Sequence, residues 1–177
     1  METLLKAALA VFGKSGVDAP VRDIAEKAGV GVGTVYRHFP QRSDLIVAVF
    51  RQEVDACADA AAELAAKYPP VEALSRWMQR FAEFVATKRG LATALHSGDP
   101  AYEPLPAYYD SKLRPALDSL LKKAVAAGDI RTGVAPGDLL SAVVSLCRPA
   151  HDVASDHTAR MIALLIDGLR FGAGGKR

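Results

Sequence analysis

The stretch A-G-V-G-V-G-T-V-Y-R-H-F-P, from Ala28 to Pro40, sets glycines at 29, 31 and 33 ahead of a tyrosine, an arginine, a histidine and a phenylalanine. Closely spaced glycines can cradle a nucleotide phosphate, and a helix carrying tyrosine and arginine can lie against DNA. A dinucleotide loop needs G-x-G-x-x-G after a strand, and a P-loop needs G-x-x-x-x-G-K-[ST] after a strand. Here the third glycine falls one position early, no Gly-Lys-Ser/Thr follows it, and the preceding apolar residues repeat at helical spacing. The G-K-S at Gly13 to Ser15 lacks its upstream glycine, because Ala8 occupies that place. The phosphate-loop chemistry is therefore set aside.

Other reactive side chains do not assemble into a catalytic pattern. His151, Asp152 and His157 do not have H-E-x-x-H spacing, and no third ligand stands beside them. No serine or cysteine has a matched base in its sequence context. Cys57 and Cys147 fit neither a metal nor a redox motif and read as reduced, buried thiols of a cytoplasmic protein. No catalytic residue, metal or cofactor is expected, and the chain is not expected to be an enzyme.

What remains for the glycines is a helix-turn-helix, in which two helices cross through a short glycine-containing turn and the second enters the major groove. Ala25 is small where the second helix must pass, Gly29 can take the left-handed conformation that ends a helix, and Val30 can bury in the turn. Gly31 then starts the second helix. Val35 and Phe39 point to a small core, which leaves Val32, Gly33, Thr34, Arg37 and His38 on or near the open side. No acidic residue lies between Val30 and Arg42, and Arg37, His38 and Arg42 concentrate positive charge there. The net charge of +2 over 177 residues conceals that concentration.

These residues must be held by helices. Half of the chain is apolar, enough for a core that needs no staples. Leu5, Ala8, Leu9 and Phe12, then Val21, Ile24, Ala25 and Ala28, then Val32, Val35, Tyr36 and Phe39 form successive stripes of helical period. Longer helices are expected from about Arg42 to Lys67, Val71 to Lys88, Ala107 to Ala127 with a kink at Pro115, Pro136 to Cys147 and Ser155 to Phe171. A short helical piece is expected over Leu91 to His96, and S-G-D-P-A-Y-E-P-L-P reads as loop. The fold class is all-α with about nine helices. No apolar run approaches the roughly 18 residues of a membrane span, and Glu2 and Lys6 interrupt what could pass for a signal peptide.

The segment V-R-D-I-A-E-K-A-G-V-G-V-G-T-V-Y-R-H-F-P-Q-R-S-D-L closely resembles the DNA-binding domain of the TetR family of bacterial transcriptional regulators, and L-L-K-A-A-L-A-V-F-G-K-S-G resembles its first helix. The resemblance implies a helix-turn-helix DNA-binding domain over 1–42 and a helical ligand-binding and dimerisation domain over 43–177. It implies that Arg22 reaches a guanine edge, that Val32 offers apolar contact to a thymine methyl, and that Gly33 and Thr34 lie at positions of close approach. Tyr36 and His38 are implied phosphate contacts, Arg37 reaches phosphate or base, and Arg42, opening the fourth helix, is aimed at phosphate. Gly31 and Val32 depart from the family, which usually has a polar cap and a lysine there. This chain begins almost within the first helix, so the basic arm that many relatives carry ahead of it is expected to be either absent or removed.

The remainder, with P-P-V-E-A-L-S-R-W-M-Q-R-F, T-K-R-G-L-A, A-A-G-D-I-R and L-I-D-G-L-R, resembles the branch with an SbtR-like carboxy-terminal domain. The implied protein is a cytoplasmic homodimer, most readily a repressor, that binds a pseudo-palindromic double-stranded operator and is released by a small-molecule effector. An activator, or a helical carrier or enzyme of the same fold without DNA binding, is the alternative. Family analogy puts the dimer interface on the last two long helices, with Leu139, Leu140, Val143, Val144 and Leu146 on one and Ile162, Leu165, Ile166 and Leu169 on the other; simple core is the competing reading. Ligand-pocket candidates are Trp77, Phe81, Phe84, His96, Tyr108, Tyr109, Arg114 and Cys147, although residues of these types are individually more often ordinary core or satisfied buried polar groups than ligand contacts. His96 and Arg114 stand out, because a buried imidazole or charge in an apolar pocket needs a partner that an acidic ligand can provide.

Overall fold

The computed structural model describes residues 1–87, 91, 97–147 and 155–171. Among them are eight α-helices: α1 (Glu2–Ser15), α2 (Val21–Ala28), α3 (Val32–His38), α4 (Arg42–Lys67), α5 (Pro70–Thr87), α6 (Leu105–Ala126), α7 (Pro136–Leu146) and α8 (Ser155–Arg170). A single 3-10 turn spans Pro100–Tyr102. The fold is all-α, as the apolar periodicity requires. The expected piece up to His96 and the side chains of His151 and Asp152 lie outside the described residues. No described helix is long and apolar enough to cross a membrane.

Glycine and proline set the helix limits for identifiable reasons. Gly16, at φ 77°, closes α1 with its N–H on the Phe12 carbonyl. Pro70 and Pro136 stand in the first turns of α5 and α7, where a missing N–H removes no helical bond. Pro115 lies inside α6, at an exposed position.

The chain divides into two compact units. The first comprises 1–54 and 87–109, the second 55–86 and 110–177. In the first, Phe12, Val17, Ala19, Ile24, Ala25, Val35, Leu45, Ile46 and Phe50 are buried, with Leu91, Tyr102 and Leu105 from the later segment. The loop signal around Ser97 thus includes a structured turn: the Asp99 carboxylate accepts from the Ala101 N–H at 2.8 Å and caps the 3-10 helix, and Tyr102 is buried.

In the second unit, α5 buries Ala73, Leu74, Trp77, Met78 and Phe81, one broad helical stripe. The Trp77 indole N–H donates to the Cys57 carbonyl at 2.8 Å, its ring stacks on Phe81 at 5.6 Å, and Phe81 stacks on Phe84 at 6.0 Å. Leu113, Leu117 and Leu121 of α6, Leu139, Leu140 and Val143 of α7, and Ile162, Ile166 and Leu169 of α8 are buried in the same unit. The Arg131 N–H donates to the Leu169 carbonyl at 2.9 Å and ties the connector after α6 to the end of α8.

Trp77 is fully buried and its N–H is satisfied, so Trp77→Phe removes both volume and a hydrogen bond. The variant is expected to lose about 1–3 kcal/mol of stability, read from the urea midpoint by far-ultraviolet circular dichroism. An unchanged midpoint would show that the indole adds nothing to this core.

Candidate nucleic-acid interface

The site is built on a turn. At the end of α2, Gly29 takes the left-handed conformation (φ 69°, ψ 30°), and two backbone bonds close the helix: Gly29 N–H to the Glu26 carbonyl at 3.1 Å and Val30 N–H to the Ala25 carbonyl at 3.0 Å. That pair of bonds is a Schellman motif, and the left-handed residue at its centre is where glycine is least strained. Gly31 then supplies the carbonyl that accepts from the Thr34 N–H at 2.9 Å and opens α3, with no side-chain cap. Val30, expected to bury in the turn, is 37% exposed. Its neighbour across the motif is Ala25, whose single methyl is too short to cover it.

Of the seven residues in α3, only Val35 is buried. Val32, Gly33, Arg37 and His38 are exposed and Thr34 is half-buried, the side on which the sequence placed them, and Tyr36, a member of the apolar stripe, is exposed with them. Tyr36, an aromatic ring, is 51% exposed. A Cβ built on Gly33 meets nothing within 4 Å, so no contact inside the chain requires a glycine in this helix. Arg22, just inside α2, is also exposed. The surface of α3 carries no acid, whereas α2 presents Asp23 and Glu26 beside Arg22 and Lys27. Uncompensated positive charge therefore lies on α3, at Arg37, while Arg22 stands next to Asp23 on α2.

Arg42 behaves differently from the other expected contacts. Its Nε and Nη2 donate to the carbonyls of Val17 and Ala19, and its guanidinium lies 5.9 Å from the centre of the Phe12 ring. It is half-buried, and its fork is engaged within the protein.

Among the described residues, the expected ligand residues are divided between the two units. Trp77, Phe81, Phe84 and Cys147 are buried in the second unit, where the Cys147 thiol faces the Ala82 carbonyl at 3.9 Å. Tyr108 belongs to the first unit, half-buried with the Arg51 guanidinium 5.0 Å from its ring centre, and Tyr109 is half-buried beside it in sequence. Arg114, singled out as a possible buried charge, is exposed. Its guanidinium takes both oxygens of Asp110, one turn earlier on α6, with a closest approach of 2.7 Å. That pairing holds the fork at the surface and against Gly137, where a Cβ would come 2.9 Å from Nη1. Among the described residues no group of histidine, cysteine and carboxylate side chains is arranged to hold a metal ion.

Sequence reading missed Tyr102 and the membership of 97–109 in the first unit. The Asp99-Pro100 pair is a helix-start signal that pointed to the ordered turn.

Comparison with known proteins agrees with this geometry. Residues 4–49 match the model described as bacterial regulatory proteins, tetR family, and residues 69–171 match the transcriptional regulator SbtR-like C-terminal domain. A stretch of 63 residues, 33% of this chain, is 43% identical to the HTH-type transcriptional repressor KstR of Mycolicibacterium smegmatis and spans 31% of that protein. The chain thus aligns with only about a third of that curated relative's length. A TetR transcriptional regulator of Streptomyces coelicolor is 37% identical with a TM-score of 0.80, covering 96% of this chain and 97% of that one. A TetR regulatory protein of Mycobacterium vanbaalenii is 32% identical with a TM-score of 0.74, covering 96% and 93%.

The two glycines flanking Gly31 are expected to respond oppositely to the same substitution. Gly29→Ala forces a side chain into a left-handed backbone and should cost about 1–2 kcal/mol. Gly33→Ala, in the first turn of α3 and open, should add about 0.5 kcal/mol. Thermal unfolding of the two variants beside the parent reads both signs, and destabilisation by Gly33→Ala would contradict the open geometry.

Proposed function

This chain belongs to the TetR family of bacterial regulatory proteins, and on that premise we propose that it is a homodimeric, effector-responsive transcriptional regulator acting as a repressor on a pseudo-palindromic operator. The observation that carries the reading is the outward face of α3: an exposed helix without acid, holding Arg37, His38 and Tyr36 around a glycine that nothing inside the chain requires. A backbone without a side chain at Gly33 can approach a base pair or phosphate more closely than any other residue allows. In this reading Arg22 reaches a guanine through its O6 and N7 acceptors, and Val32 covers a thymine methyl. Tyr36 and His38 hold phosphates and Arg37 serves phosphate or base. Gly33 and Thr34 form the surface of closest approach.

One recognition helix reads only a few base pairs, so a two-fold partner is needed to reach two adjacent major grooves. The apolar side chains left over on α7 and α8 support a dimer there. Leu139, Leu140, Val143, Ile162, Ile166 and Leu169 are buried within one chain, yet Val144 is 43%, Leu164 61% and Phe171 88% exposed. Leu164 and Gly168 on α8 and Phe171 just past its end follow at helical spacing, a stripe for a second copy. The stacked core around Trp77, Phe81 and Phe84 is the apolar environment into which an effector would be received. The effector releases DNA by preferring the DNA-incompetent state, typically with a coupling of about 1–3 kcal/mol. A regulator of this kind works in the cytoplasm.

Two variants test the reading on duplex DNA enriched from a random pool by the parent chain. Arg37→Ala is expected to weaken binding and, where it removes a phosphate contact, to reduce the slope of log K against log salt by about 0.9. Binding indistinguishable from the parent at all salt concentrations would remove α3 from the interface. Leu164→Glu is expected to convert the dimer to monomer in sedimentation velocity and to weaken operator binding with it. A Leu164→Glu chain that stays dimeric would move the interface elsewhere.

A further inference from the structure

Arg42 lies at the start of α4, beside the proposed DNA-reading surface, with its side chain turned to the protein. We propose that Arg42 is a positioning residue that straps the lead-in of α2 to α4, and that it does not contact DNA phosphate. The proposal rests on the reading of α2 and α3 as the DNA-binding elements.

The acceptors explain why an arginine is needed. Val17 and Ala19 are 7% and 4% exposed, in a connection that runs from the left-handed Gly16 to Pro20. Their carbonyls lie outside any helix, and Pro20 offers no N–H. Buried backbone acceptors need donors, and the planar guanidinium brings two of its N–H groups to two carbonyls two residues apart. The same group lies over the Phe12 ring of α1. One side chain thus ties together α1, the approach to α2 and the first turn of α4. Arg22 follows that approach directly, so a shift of the Val17–Ala19 loop shifts the side chain proposed to reach guanine.

Helix energetics do not account for the residue. A cation in the first turn of the 26-residue α4 opposes the helix dipole, whereas Asp44 in the same turn favours it and accepts from the Gln41 N–H at 2.9 Å. The segment 97–109, in the same compact unit, adds a second restraint on the first half of α4. Tyr108 lies under Arg51. Burial holds the Tyr102 phenol above the ordinary tyrosine range, with Asp99 acting in the same direction and the Arg42 charge against it.

Arg42→Lys keeps the charge and loses the fork; Arg42→Gln loses the charge. If Arg42 positions α2, both variants bind the enriched duplex about tenfold more weakly than the parent, with the parent's salt slope. Full binding by Arg42→Lys, or a slope reduced by about 0.9 in Arg42→Gln and restored by Arg42→Lys, would identify a phosphate contact and overturn the proposal. Amide exchange provides a readout that does not depend on DNA: residues 17–28 should exchange faster in both variants, and unchanged exchange there overturns the strap. A parent chain that enriches no duplex contradicts the functional reading alone, because the exchange measurement still decides the role of Arg42.

Discussion

A helix of seven residues cannot hold itself, and α3 has seven. Isolated helices shorter than about 12 residues are marginal in water, and α3 must leave most of its surface outward. Its order is imposed from its ends and from one buried point. The Schellman bonds across Ala25 to Val30 fix where it starts, Val35 anchors it, and the Phe39 N–H on the Val35 carbonyl at 2.8 Å closes it. Because so little of α3 is buried, the orientation of the reading face is inherited from α1, α2 and α4.

This dependence gives the glycines of the opening stretch separate roles. Gly29 is required by backbone conformation, since a positive φ strains other residues. Gly31 stands at φ −72° with extended geometry, a conformation open to most residues, and opens α3 through its carbonyl. Gly33 is helical and surrounded by open space, so its cost to helix stability has no return inside the chain. Position by position, the intramolecular need for glycine falls from 29 to 33 and the case for an external need rises.

Much of the fold was legible in the sequence because proline and glycine punctuate helices for local reasons. Pro69-Pro70 ends one long helix and begins the next, Pro136 opens α7, and the apolar stripes include Ala8, Phe12, Ile24, Ala25 and Val35, which are buried, whereas Val32 and Tyr36 of the third stripe are exposed and Phe39 is half-buried. The destination of Arg42 was not legible, since a backbone carbonyl and a phosphate offer a guanidinium the same acceptor chemistry and only the folded path of Val17 to Ala19 decides between them. Arg114 was misjudged for a related reason. The Asp110 carboxylate one turn away satisfies it at the surface, and helical spacing alone cannot rank that pair against burial. The placement of 97–109 in the same unit as α1 to α3 is a long-range result that a run of glycine and proline does not announce.

If α3 reads duplex DNA as one half of a two-fold protein, selection from a random pool of duplexes by the intact chain, followed by sequencing, should enrich an inverted repeat whose half-sites are centred about one helical turn apart. No enrichment, or enrichment of a single unrepeated half-site, would contradict that reading.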